Sequence, residues 1–313
     1  MKVLFRIILL CPFISFGSLF SQEDWDFDKK NQNKHLFLDT RAINGHTVKL
    51  LEKEVLELRI THRFGEIATS QSYRTLFGLD NSSDIRIGLE YGITENFTIG
   101  GGRSKGAGPF LEVWDGLLKL GIYKNNERNI KITASSQLFF TSMPGSNNPI
   151  ELTNFTKLSH RFTYHNEVLF GFKPSKKITL QISPGFIYRN LVNFQDNNFL
   201  PHISSVARIH LFKKVSLILE YYANFNTTDF RKNNYVNPLG LGIEINTFGH
   251  VFLLNFVNSR GIGEGQFLPY TKSKWSEGEF RFGFTIARKF NTCLLYTSPS
   301  PRDRTRSRMP SSA

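Results

Sequence analysis

The stretch SDIRIGLEYGITENFTIGGGR, residues 83–103, decides the fold. Ile85, Ile87, Leu89, Tyr91 and Ile93 alternate with Asp84, Arg86, Gly88, Glu90 and Gly92. A period of two places these sets on opposite faces of an extended strand. The break at 94–95 is short, and a second extended run follows over 96–103, as in an antiparallel hairpin.

The same alternation recurs along the chain. In 55–64, Leu56, Leu58, Ile60 and Phe64 oppose Glu57, Arg59, Thr61 and Arg63. In 178–189, Ile178, Leu180, Ile182, Phe186 and Tyr188 oppose Thr179, Gln181, Ser183, Gly185 and Arg189. In 280–290, Phe280, Phe282, Phe284, Ile286 and Phe290 share a face whose apolar row Arg288 interrupts. The pattern predicts twelve strands, over 54–64, 83–93, 96–103, 113–123, 129–140, 160–172, 177–189, 202–211, 214–223, 239–247, 250–258 and 279–290. Most exceed the roughly 5–6 residues of a soluble strand and fit a tilted membrane-crossing strand of about 9–11.

The connections select the architecture. Long segments at 65–82, 104–112, 141–159, 190–201, 224–238 and 259–278 alternate with short ones at 94–95, 124–128, 173–176, 212–213 and 248–249. Loops sorted by length to opposite ends mark an outer-membrane barrel with short periplasmic turns and long extracellular loops. The expected fold is therefore all-β, a closed antiparallel transmembrane β-barrel over 54–290. Aromatics reinforce it: Phe64, Trp114, Phe162, Tyr188 and Tyr221 fall outward at the loop ends, and Tyr91, Phe97 and Phe172 at the turn ends, as interfacial girdles do.

The ends read differently. Residues 1–21 combine Lys2 and Arg6 with an apolar run and then turn acidic, the layout of a secretory signal peptide. Residues 22–53 are expected as an extended periplasmic lead-in, with a turn at Asn44-Gly45; a plug tucked into the lumen is the alternative. Residues 291–313 are rich in Ser, Pro and Arg without periodicity and resemble translated sequencing-adaptor read-through.

The chain has 313 residues, a net charge of +13 and 14% aromatic residues. Its aromatic content argues against disorder, and its mean hydropathy of −0.25 argues against a bundle of membrane helices. Part of the +13 sits in the ends, on Lys2, Arg6, Arg302, Arg304, Arg306 and Arg308, so the basicity does not point to nucleic acid. Cys11 and Cys293 are the two cysteines and both lie in those ends, leaving the body without thiol chemistry.

Parity assigns a charged lumen face to Glu57, Arg59, Arg63, Asp84, Arg86, Glu90, Lys119, Arg161, Glu167, Arg189, Arg208, Glu220, Glu244 and Arg281, with His165 and Gln181 beside them. Twelve strands stand between a barrel filled by side chains and one holding an aqueous channel. Two outcomes follow: a narrow pore, constricted by a loop such as 141–159 or 259–278 and mildly anion-preferring, or a lumen closed by paired charges.

Other signals are weaker. His62-Arg63-Phe64 and His160-Arg161-Phe162 repeat a tripeptide at the outer rim, where the histidines read as interfacial belt residues rather than as a hydrolytic pair. His202 and His210 are too far apart along a strand to share a metal unaided. Gly100-Gly101-Gly102 lacks the strand–loop–helix setting of a phosphate loop. No catalytic, cofactor or metal site is expected.

From Leu36 to Phe290 the sequence resembles a family of bacterial outer-membrane β-barrel proteins of unknown function. The resemblance rests on TRAINGHTV (40–48), LELRITHRFG (56–65), FGLDNSSDIRIGLEYGITENFTIGGGRS (77–104), SPGFIYRNLV (183–192), GHVFLLNF (249–256) and FRFGFTIARKF (280–290). It implies a barrel in the outer membrane and no particular activity. The expected partners are outer-membrane lipid and lipopolysaccharide, and the barrel-insertion machinery through the strand ending at Phe290. The expected function is passage of a small polar or anionic solute, with a non-conducting barrel that binds lipid or a partner through its loops as the alternative.

Overall fold

The structure, a computed structural model, describes residues 35–292 apart from 69–71, 226–227 and 248. The signal peptide, the first part of the lead-in and the tail from 293 onward lie outside the described residues. So do the two cysteines.

Twelve antiparallel strands close into one barrel in chain order. They are β1 (Val55–Glu66), β2 (Ser82–Thr94), β3 (Phe97–Lys105), β4 (Glu112–Asn125), β5 (Ile130–Thr141), β6 (Phe162–Phe172), β7 (Ile178–Arg189), β8 (Phe199–Phe212), β9 (Val215–Asn224), β10 (Leu239–Thr247), β11 (His250–Val257) and β12 (Arg281–Asn291). The barrel closes where β1 pairs with β12, from Val55 opposite Asn291 to Arg63 opposite Gly283. Closure leaves no sheet edge, so the backbone groups of the wall are satisfied without water, as hydrocarbon surroundings require.

Alternation is visible in burial. Along β1 the residues are alternately buried and half-buried, with Glu57, Arg59, Thr61 and Arg63 inside. Ile87, Leu89, Leu118, Leu120, Ile182, Ile243 and Leu254 are exposed on the outer face. Trp114, Phe140 and Phe162 face one another across β4, β5 and β6 near the loop end. Short turns join the strands at one end of the barrel and the long segments at the other. We call these the turn end and the loop end.

Two short helices lie in the long segments. Helix α1 (Asp229–Asn234) is capped by Thr228, whose side chain accepts from the Arg231 backbone N–H at 3.2 Å. Helix α2 (Glu264–Tyr270) lies between β11 and β12 and is buried from Glu264 to Pro269.

Strand ends differ from expectation by a residue or two, except β8, which starts at Phe199 rather than 202. The segment expected to begin β6 at 160 is instead a 3-10 turn over Leu158–Arg161.

Candidate functional site in the filled lumen

The stretch expected as an extended periplasmic lead-in runs inside the barrel. Leu36 to Val48 is buried throughout. The chain rises from the turn end, reverses and returns to β1. Ala42 N–H donates to Gly45 C=O at 2.8 Å, Thr47 N–H to Thr40 C=O at 2.9 Å, and Arg41 bridges His46. The hairpin tip is the Asn44-Gly45 turn legible in the sequence. Gly45 is obligatory there by space, since a Cβ would stand 1.6 Å from the Tyr222 hydroxyl.

The lumen wall receives the hairpin residue by residue. Glu220 on β9 accepts the backbone N–H groups of Ile43 at 2.9 Å, Asn44 at 3.0 Å and Gly45 at 3.2 Å. Successive N–H groups converging on one carboxylate form an anion-accepting nest, and such charge-assisted bonds are the stronger kind. Gln181 on β7 accepts from Val48 N–H at 2.9 Å and donates to His46 C=O at 2.8 Å. Lys119 on β4 donates to Lys49 C=O at 2.7 Å. Arg59 on β1 holds Asp39 with its two terminal guanidinium nitrogens, Nη1 and Nη2, and Nη2 also donates to Glu57 at 2.7 Å. Arg63 reaches the Asn44 side chain at 2.7 Å.

Apolar packing adds to these bonds. Leu36, Phe37, Ala42, Ile43 and Val48 form one cluster with Leu169, Val206, Ile218, Leu253 and Val257 on the inner wall. Each buried aliphatic side chain contributes about 1.5–3 kcal/mol of hydrophobic stabilisation.

A second segment enters from the loop end. Glu264 of α2 accepts from Arg41 at 3.1 Å and from Gln137 at 3.0 Å. Ile262 N–H donates to Asp84 at 3.0 Å, and Arg63 donates to Ser259 Oγ at 3.0 Å. Phe267 meets Tyr222 edge-on at 5.0 Å. The 259–278 loop thus folds inward, as expected for one of the two named loops. The 141–159 loop stays at the rim, its Met143, Leu152 and Phe155 packed on Phe110, Val113 and Phe139 and its Ile150 exposed.

All residues assigned to the lumen by parity are buried except Arg161. Arg161 is half-buried at the rim, donating to Thr141 C=O at 3.0 Å and Met143 C=O at 2.7 Å and lying over the Phe155 ring. The 3-10 turn before β6 takes it out of the strand parity that placed it inside. Within the wall, Arg86 grips Asp115 with bonds of 3.0 and 2.6 Å, and Arg208 donates to Glu244 at 2.8 Å. Among the described residues the Glu90 carboxylate accepts no hydrogen bond but lies 3.7 Å from Arg41, and neither Glu167 carboxylate oxygen has a hydrogen-bond partner. Sequence reading missed Asp115, Gln137 and, from the inserted segments, Asp39, Arg41, His46 and Glu264.

At the loop end, Asp196 accepts from Arg189 at 3.0 Å and from Arg231 at 2.9 Å, and Arg231 also donates to Pro269 C=O at 3.0 Å. This ties the 190–198, 225–238 and 259–278 loops together. Burial and the neighbouring Arg189 push the Arg231 guanidinium below its usual range, with Asp196 opposing them.

The histidines form no catalytic set. His62 faces outward between Phe64 and Phe284 and lies 3.2 Å from the Ser82 hydroxyl, but its Nδ1 has no partner to orient the ring. His165 and His202 stack inside the lumen with Nε2 atoms 3.0 Å apart. No group of three or more metal-ligating side chains occurs among the described residues.

Residues 37–290 match the family model described as membrane bound beta barrel domain (DUF5777). The chain resembles many solved structures in fold, three of which illustrate the likeness. One is the NanC porin, at 9% identity and a TM-score of 0.44, covering 75% of this chain and 98% of that one. Another is the KdgM porin, at 8% and 0.46, covering 75% and 99%. The third is an outer membrane channel from Pseudomonas putida F1, at 12% and 0.42, covering 77% and 97%. No curated protein matches in sequence.

Proposed function

We propose, because the chain belongs to the family of membrane bound beta barrel domains, that it is a normally closed channel of the bacterial outer membrane. Its N-terminal hairpin is the gate. The observation that carries this reading is the docking of the hairpin: one contiguous segment, connected to β1 at one end, lies across the lumen and is bound there largely by side chains of the wall. Displacing it would uncover Glu57, Arg59, Arg63, Arg86, Glu90, Lys119, Glu167 and Glu220, a lining of both charge signs suited to a small polar solute. Passage through such a lining is binding and release, with no bond made or broken, so the chain acts as a channel and not as an enzyme.

The apolar cluster beneath the hairpin favours a second reading. An aqueous channel gains nothing from an inner wall of Leu169, Val206, Ile218, Leu253 and Val257. On that reading the hairpin is a permanent core, and the barrel works through its loops.

Conductance in a planar bilayer separates the two. The intact chain is expected to be silent between rare openings, and a variant lacking residues 36–50 to pass discrete, salt-dependent current steps. A folded variant, shown by its heat-modifiable mobility on a gel, that passes no current would overturn the gate. Reversal potentials then measure ion selectivity.

A further inference from the structure

The outer wall is not evenly filled. A trough of about 650 Å³ crosses strands β3 to β8, lined by Leu118, Leu120, Ala134, Val168, Phe186 and Pro201 among others. Its floor follows one register row, in which Leu118 faces Ser136, Ser136 faces Asn166, Asn166 faces Phe186 and Phe186 faces Pro201. Small and cyclic side chains in and beside this row, Ser136, Ala134, Pro184 and Pro201, leave the depression, which Leu118, Leu120 and Phe186 also line.

Two features set the trough apart from the rest of the lipid-facing surface. Ser136 and Asn166 are adjacent polar side chains on the apolar outer face, below the loop ends of β5 and β6, and neither side chain hydrogen-bonds to a described residue. Elsewhere among the described residues the polar side chains of the outer face lie nearer strand ends, as Arg103, Lys105, Thr247, His250 and Arg288 do; Ser205 is also mid-strand, and His62, at a depth like that of Asn166, has the Ser82 hydroxyl at 3.2 Å. A polar group facing hydrocarbon without a partner is costly. The backbone ladder also breaks beside the pair: β6 and β7 pair at Glu167–Gly185 and again at Phe170–Ile182, and Pro184, which has no N–H to donate, lies in the gap.

We infer that this trough holds one acyl chain of a membrane lipid, and that the chain carries a hydroxyl group. The apolar lining receives the hydrocarbon. The Ser136 hydroxyl and the Asn166 amide, a donor and acceptor each, pair with the hydroxyl of the acyl chain at a depth where water does not compete.

The test uses the full chain refolded in detergent and titrated with β-hydroxymyristic acid or with myristic acid, bound ligand being read by native mass spectrometry. The hydroxylated acid is expected to bind about fivefold more tightly, the worth of one ordinary hydrogen bond. Asn166→Leu and Ser136→Ala should each erase that preference while leaving myristic acid binding in place. Ala134→Phe, which fills the trough, should abolish binding of both acids. Heat-modifiable gel mobility verifies that each variant is folded. Equal binding of the two acids by the natural chain, or a preference that survives Asn166→Leu and Ser136→Ala, would overturn the inference.

Discussion

Arg41 and Glu264 meet at 3.1 Å in the middle of the lumen, one carried in by the hairpin from the turn end and the other by α2 from the loop end. Both are buried, at 4% and 0% side-chain exposure. The pair joins the two insertions, with His46 3.7 Å from the same Glu264 carboxylate and Gln137 bonding both, so it couples the two ends of the barrel.

Removing one partner should therefore unlock both. Glu264→Ala leaves the buried Arg41 guanidinium with Glu90 at 3.7 Å, Asn44 C=O and His46 as its neighbours, having lost its hydrogen-bonded carboxylate. Breaking a buried pair on one side costs about 3–5 kcal/mol. The expected outcome is faster hydrogen exchange both at 40–48 and at 261–268, measured by mass spectrometry. Acceleration confined to 261–268 would mean that the two insertions are independent.

Glu220 is the main anchor of the hairpin tip. Glu220→Leu leaves three backbone N–H groups without their acceptor, each worth about 1–3 kcal/mol when left unsatisfied. Trypsin should then cut after Arg41 or Lys49, sites that the natural chain protects. An uncut variant would show that the apolar cluster alone suffices to hold the hairpin.

Gly45→Ala tests the tip by volume. The new methyl group collides with the Tyr222 hydroxyl, so the hairpin should withdraw and single-channel openings should become at least about tenfold more frequent, an equilibrium shift near 1.4 kcal/mol. Tyr222→Leu added to Gly45→Ala removes the colliding ring and should return the channel towards silence, a non-additivity diagnostic of direct contact.

Asp196→Asn tests the loop end. Arg189 and Arg231 lose their shared carboxylate, and the three loops it joins should open locally. Limited proteolysis in the 225–238 segment should accelerate, while barrel unfolding, read from heat-modifiable mobility, should hardly change.

The wall was legible in the sequence because alternation responds to one physical variable, lipid outside against protein or water inside. Glu57, Arg86, Lys119 and Glu220 fell inside for that reason. The contents of the lumen were not legible, because Asp39, Thr40, Arg41, Asn44 and His46 have the polarity of an exposed loop and are buried only through bonds to distant side chains. Glu264 was hidden likewise within a long loop. One signal was available: Leu169, Val206, Ile218, Leu253 and Val257 stand at inward parity, where a water-filled lumen would place polar groups. Apolar residues on the wrong face imply an apolar segment to cover them. Arg161 was misplaced because parity was extended one residue beyond the true start of its strand.

The hairpin is the first described part of the chain, yet its partners lie far along it: Ile43 bonds Glu220 across 177 residues and Arg41 bonds Glu264 across 223. Contacts so remote in sequence pay a large loop-closure entropy, whereas neighbouring strands pair locally. Filling the lumen is therefore expected to lag behind the pairing of the wall.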